Sequence, residues 1–434
     1  MLSRIQFCIQ AVLLRLSNIL DTRKPQRKHF ILMLTMLSEE NTLPLSIKPA
    51  KRLKHIAPSG IRRFFTLTKN MPDIINLSVG EPDFNPPRDI LNAGWQAAKE
   101  GKTHYAPTNG IPELLEGLAQ KAYRDYGLHY DPNCEILITV GGTEAIFLAL
   151  IGLINPGDEV LIPDPGFVCY QPCVNLAGGT PVSVPLLEKN GFKPSVDDVT
   201  SLITDKSRVI ILNYPNNPTG AVLSFGEMAA LSKIAIENDM IVISDEVYEK
   251  IVYDNATHYC VATFPGMRER TLVVNSFSKT YAMTGLRVGF VYGPKELISP
   301  LWLVHQYTVA CVNILAQYVA LAALKGPQDF VRKMVQEFSR RRHLICKRLN
   351  EIEGFKYTLP KGAFYVFPNI KKFGMSSEEF SEFLAREAHV TTVPGSAFGK
   401  HGNGYIRISY AAAYEQLEEA LNRMEKAIKK PERF

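Results

Sequence analysis

From about residue 86 onward, short β-branched apolar runs recur, each followed by a cluster of Gly, Pro, Asn or Ser and then by a longer helical pattern. The runs are Ile136–Val140, Glu159–Ile162, Val209–Leu212, Met240–Ile243, Leu272–Val274 and Val288–Val291. Continuously apolar strands that alternate with helices indicate a parallel sheet buried on both faces. The rhythm therefore predicts an α/β fold with a mostly parallel central sheet. In such sheets binding groups gather where strands end and loops begin.

Residues 144–153 follow Gly141-Gly142-Thr143 and predict a helix starting there, and residues 303–349 read as long helices broken at Gly326-Pro327. After 360 the pattern changes to short strands and amphipathic helices at Ala363–Phe367, Ser376–Glu387, Tyr405–Ser409 and Tyr414–Lys430, a second, smaller α+β domain. The expected limits are 86–310 for the large domain and 311–434 for the small one with its linking helix. Residues 37–85 read as an arm that also contributes to the small domain. Residues 1–36 read as a transit-like extension or a start assigned too early, since Met33 and Met36 precede LSEENTLPLS.

At 434 residues the chain is long enough for two or three domains, and 46% hydrophobic with 21% charged residues is ordinary globular composition. The net charge of +6 is modest, and much of it lies in residues 1–32, whose only acid is Asp21. No basic stripe with interleaved aromatics marks the body, which argues against nucleic acid. No apolar run reaches the roughly 18–20 residues that span a bilayer. Cys8, Cys134, Cys169, Cys173, Cys260, Cys311 and Cys346 are odd in number and scattered without zinc spacing. They read as reduced thiols of a cytoplasmic protein with no metal site.

Five loops at or near strand ends carry residues suited to chemistry. In ITVGGTEA, Gly142 and Thr143 offer backbone N–H groups and a hydroxyl at a helix start, which makes either a phosphate site or a plain Gly-rich turn. NYPNNPTGAV holds Asn217 in a Pro-Asn-Asn-Pro-Thr-Gly-Ala heptad far more specific than any turn dipeptide within it. IVISDEVYEKI ends an apolar strand at Asp245, a carboxylate that needs a partner if buried, with Tyr248 three residues on. NSFSKTYAMTGLRVG sets Lys279 among hydroxyls with Arg287 eight positions later, either a surface loop or a reactive amine beside an anion site. YIRISYA places Arg407 within an apolar strand, suited to bidentate capture of a carboxylate or to a structural ion pair. GSAFGKH is not a P-loop: it is one residue short between glycines and has His401 where Ser or Thr is required.

Together, and in this order, these segments resemble the pyridoxal-phosphate-dependent aminotransferases of fold type I, class I/II. The prokaryotic and archaeal aspartate and aromatic enzymes are the nearest in look. The resemblance spans roughly 50–428 and includes LSVGEPDFNPP, THYAPTNGIPELLEGLA, KGAFYVFP and YIRISYA. It implies a large domain on a mostly parallel sheet, a smaller α+β domain and the cofactor pyridoxal 5'-phosphate. By that resemblance Lys279 forms the Schiff base with the cofactor and Asp245 keeps its pyridine nitrogen protonated. Tyr248 and Asn217 donate to the ring 3-oxygen, and the Asn217–Pro218 bond is expected to be cis. Gly142, Thr143, Ser276 and Arg287 hold the phosphate, with Tyr105 contributed by the neighbour in a homodimer. Phe167 stacks on the ring where aspartate-specific relatives often have Trp. Arg407 forks onto the substrate carboxylate beside Gly80. The implied reaction passes an amino group from an aspartate or aromatic donor to a 2-oxo acid, with 2-oxoglutarate expected. A lyase of the β-lyase or aminocyclopropane-carboxylate-synthase type would use the same binding residues, and the sequence separates the two poorly. A non-catalytic regulator fused to a DNA-binding module has no support, because the first 50 residues lack a helix-turn-helix pattern.

Overall fold

A computed structural model describes residues 50–53, 56 and 73–430; the expectations for residues 1–36 and for most of the arm fall outside them. The described residues from Arg52 onward form one compact unit. Its strands are β1 (Ile75–Asn76), β2 (Ile136–Thr139), β3 (Glu159–Asp164), β4 (Thr180–Pro185), β5 (Ser207–Asn213), β6 (Ile241–Asp245), β7 (Thr271–Ser276), β8 (Gly289–Tyr292), β9 (Tyr365–Val366), β10 (Val390–Thr391), β11 (Val393–Pro394) and β12 (Ile406–Ser409).

The central sheet has seven strands in the order β2-β8-β7-β6-β5-β3-β4. β3 through β7 pair in parallel, and all but the edge strand β4 are largely apolar on both faces because helices cover both. β8 departs from the expectation. It runs antiparallel to both β7 and β2, since the connection 277–288 holds only a four-residue helix and a short 3-10 turn. A parallel return needs a longer crossover. β2, antiparallel to β8 as β7 is, therefore points the same way as the parallel strands. Their C-terminal ends, carrying Asn213, Asp245, Ser276 and the helix start after Thr139, share one edge.

Gly289 on β8 is where a side chain is forbidden: a Cβ there would lie 2.4 Å from the Gly141 carbonyl carbon and 2.6 Å from the Gly142 nitrogen. β8 can thus run tight against the start of the helix Gly141–Leu153. The edge strand β4 escaped sequence reading, because it begins TP and ends VP and alternates instead of running apolar.

Beyond residue 292, the helices Lys295–Thr308, Ile314–Lys325 and Asp329–Glu351 follow. Gly326-Pro327 is a break as expected, and a second lies at 309–313, where Asn313 caps the next helix through its side chain. The helix expected over Ser376–Glu387 is α-helical for Ser377–Phe383 and then widens into a π-helical turn at Leu384–Ala388. β11, β12 and β9 form an antiparallel sheet, and β1 pairs in parallel with β10. A core around Phe338, Phe364, Ile406 and Leu417 packs this part together. Among the described residues no helix is long and apolar enough to cross a membrane.

Candidate active site

A cavity of about 190 Å³ opens at the shared edge of the strands, and Gly80, Gly142, Thr143, Phe167, Asn217, Asp245, Tyr248, Ser276, Lys279 and Arg407 all line it. Two site residues expected from the sequence do not. Tyr105 is 90% exposed. Arg287 is exposed, and its guanidinium donates to the carbonyls of Thr284 and Val140. It nonetheless sits against the helix start, its Nη2 only 2.5 Å from where a Cβ on Gly141 would be.

Asp245 ends β6 with 3% exposure. Burial pushes its carboxyl up to about 6, even though Tyr170 donates a hydrogen bond to it at 2.6 Å. Asn213, at the end of β5, ties the next loop to this strand end. Its side-chain amide donates to the Asp245 carbonyl at 3.1 Å, and its oxygen accepts the Asn217 N–H at 2.9 Å. The Asn217–Pro218 bond is cis.

Lys279 lies on the short helix Phe277–Thr280, whose start Ser276 caps by accepting the Ser278 N–H. Its amine donates to the Gly80 carbonyl at 2.5 Å. Burial draws the ammonium down to about 8; the charges of Arg407 and Arg287 act in the same direction, while Glu81 and Asp245 oppose. An ordinary lysine is almost wholly protonated at pH 8; burial brings this one within reach of its neutral form there.

Arg407, 2% exposed in the middle of β12, donates to the Asn217 side-chain oxygen at 2.9 Å and to the Ser78 carbonyl at 2.6 Å. The faces of Tyr365 and Phe398 lie 4.4 and 5.0 Å from its guanidinium carbon. No carboxylate pairs with it among the described residues, and its Nε is buried without a partner. The structural ion pair left open by the sequence is therefore not made. A buried, uncompensated guanidinium facing a cavity is a site for an anion.

Sequence reasoning missed Tyr365, Ser278, Asn213 and Tyr170. Tyr365 lies in KGAFYVFP and Tyr170 three residues after Phe167. Both could have been flagged as aromatics next to a motif, but only the fold turns them toward the cavity and Asp245.

Residues 72–424 match the family of class I and II aminotransferases. The chain belongs to that family. It is 47% identical over 380 residues to an aspartate aminotransferase of Pyrococcus abyssi, covering 87% of this chain and 97% of that one. It is equally identical, with the same coverage, to aromatic-amino-acid aminotransferase 2 of Thermococcus litoralis. The crystal structure of an aromatic aminotransferase from Pyrococcus horikoshii superposes with a TM-score of 0.82 at 46% identity, covering 86% of this chain and all of that one.

As a class I and II aminotransferase the protein is a pyridoxal-phosphate-dependent transaminase of fold type I. The cavity fits that cofactor chemically. Asp245 is a buried carboxylate with room for a protonated ring nitrogen, Lys279 is an amine partly neutral near pH 8, and the hydroxyls of Ser276 and Ser278 meet the helix start at Gly142-Thr143. The leading N–H groups of a helix lack partners within it and attract a phosphate.

Proposed function

We propose that this aminotransferase moves the amino group of an L-amino acid, aspartate or an aromatic donor, to 2-oxoglutarate, with Lys279 as the amine that holds the cofactor and carries the proton. The observation that supports this reading best is the convergence on one cavity of a lysine with a lowered pKa, a buried carboxylate and a buried arginine without an acid partner.

Pyridoxal phosphate, when bound, supplies an aldehyde with which amines condense and a ring that draws electrons from the substrate's α-carbon. Asp245 would keep the ring nitrogen protonated. Tyr248 and Asn217 would donate to the ring oxygen, and Phe167 would stack on the ring. Gly142, Thr143, Ser276 and Arg287 would hold the phosphate. Arg407 takes the substrate α-carboxylate, to which its partnerless Nε offers a donor, and Gly80 adds a backbone donor beside it. Lys279, with its amine free, would be the base that takes the substrate's α-proton.

Support for a donor range that includes aromatics comes from the lining. Among the described residues Arg407 is the only arginine on the cavity, and Phe167, Tyr248 and Tyr365 put aromatic rings on its wall. The two relatives at equal identity carry the names of both donor classes. The reading includes a homodimer in which the exposed Tyr105 completes the neighbour's site. It places the boundary between the large and small domains near 310. It also places the enzyme in the cytoplasm, in keeping with six described cysteines that form no disulfide.

The test is a panel of aspartate, tyrosine, phenylalanine, alanine and kynurenine against 2-oxoglutarate, following both the new oxo acid and glutamate. Stoichiometric glutamate with an aspartate or aromatic donor is expected. Sustained oxo-acid release without an acceptor would identify a lyase instead.

A further inference from the structure

Tyr365 on β9 is 1% exposed, and its hydroxyl lies 2.8 Å from that of Tyr248. It touches two other groups of the site as well. A Cβ on Gly80 would lie 2.3 Å from the Tyr365 oxygen, so this position is glycine because Tyr365 fills the space. The Arg407 guanidinium stands over the Tyr365 ring at 4.4 Å. Through the Gly80 carbonyl the same corner receives the Lys279 amine.

One hydrogen bond between two phenols has two senses. If Tyr248 donated, its single proton would be spent inside the protein, and the cavity would face only lone pairs. If Tyr365 donates, the Tyr248 proton stays available to an acceptor in the cavity. A positive charge against a phenol ring favours its ionised form, which makes the phenol a better donor, and the guanidinium stands over Tyr365. Burial raises both phenols and Arg407 opposes it at both, but it is the Tyr365 ring that the guanidinium stands over. Chained hydrogen bonds strengthen one another in a site shielded from water.

We propose that Tyr365 is a positioning residue for amino transfer: its hydroxyl donates to Tyr248 and so commits the Tyr248 proton to the group bound in the cavity. The proposal rests on the proposed role of Tyr248 as a donor to the cofactor's ring oxygen. It makes Arg407 serve twice, as carboxylate receptor and as the charge that orients the phenol pair.

The experiment is a pH titration of the visible absorption band of the holoenzyme in Tyr365→Phe, Tyr248→Phe, the double variant and the wild type. Weakening a donor to an anionic oxygen raises the proton affinity of the chromophore. Tyr365→Phe is expected to move the band's pKa upward by roughly half to one unit, a factor of about 3 to 10. Tyr248→Phe is expected to move it further in the same direction, and the double variant to match Tyr248→Phe alone. An unchanged band in Tyr365→Phe, or a Tyr365→Phe shift that persists in full in the Tyr248→Phe background, overturns the proposal and leaves the role of Tyr248 standing. No shift in Tyr248→Phe overturns both. Thermal unfolding of ligand-free Tyr365→Phe, which loses one oxygen and keeps its ring, is expected to stay close to wild type, separating positioning from folding.

Discussion

Burial at the end of β6 lifts the Asp245 carboxyl from its ordinary 3.8 to about 6. A carboxyl raised on folding holds its proton more tightly in the native state, so its contribution is most favourable below about pH 4. It is lost as pH rises through 4 to 6, and above 6 the protein carries the full cost, on the order of 3 kcal/mol. The neutral isostere avoids it. Ligand-free Asp245→Asn is expected to be about 1–3 kcal/mol more stable than wild type at pH 7 and no more stable at pH 4, measured by denaturant unfolding, while kcat falls by about 100-fold or more. Lys279 supplies a second residue-level expectation. With its ammonium drawn down to about 8, amine-specific labelling of Lys279 in the ligand-free protein should reach half its maximal rate near pH 8, well before the exposed lysines. A midpoint above pH 10 would remove the basis for treating it as a ready nucleophile.

Single elements carry the site, and their junctions are where it is vulnerable. Gly289→Ala drives a methyl into the backbone of Gly141 and Gly142, displacing the helix start assigned to the phosphate. Cofactor affinity, read by titrating the visible band, is expected to fall at least about tenfold while the fold survives. Farther back, Lys121 on the helix Pro112–Tyr126 is 3% exposed and bonds Glu249 at 2.6 Å and Asp125 at 2.9 Å. It pins that helix to the turn after β6 that bears Tyr248. Glu249 keeps one buried oxygen without a partner, so Lys121→Met would strand a buried carboxylate. The expected loss is about 3–5 kcal/mol of stability, measured by chemical denaturation. At this scale the sequence was legible wherever periodicity set the answer. Runs such as VIIL and IVI read as strands, and Gly326-Pro327 read as a helix end. The direction of β8 was not legible, because a four-residue apolar run pairs equally well either way and the short connection decides. β4 was hidden by its prolines, and the two-residue strands β1, β10 and β11 are too short to show a period.

The whole molecule assembles its site from residues as distant in sequence as Gly80 and Arg407, which meet because Ser409 and Arg407 of β12 donate to the carbonyls of Leu77 and Ser78. Ten of the twelve expected site residues line that cavity, because each sits in a motif long enough to be recognised in its own right. Tyr365 was passed over because its role comes from contact with Tyr248 and Arg407, a relation between segments that no local pattern encodes. Tyr105 points to a level above the chain. If it completes the neighbour's site, mixing inactive Lys279→Ala and Tyr105→Ala subunits should restore part of the activity through hybrid dimers that carry one intact site. No recovery would place Tyr105 outside catalysis. The proposed chemistry as a whole stands on Lys279. Its most direct test is hydride reduction of the holoenzyme followed by peptide mapping. One phosphopyridoxyl label is expected, on Lys279, with loss of both label and visible chromophore in Lys279→Ala. A label on another lysine, or a chromophore that survives Lys279→Ala unchanged, would contradict it.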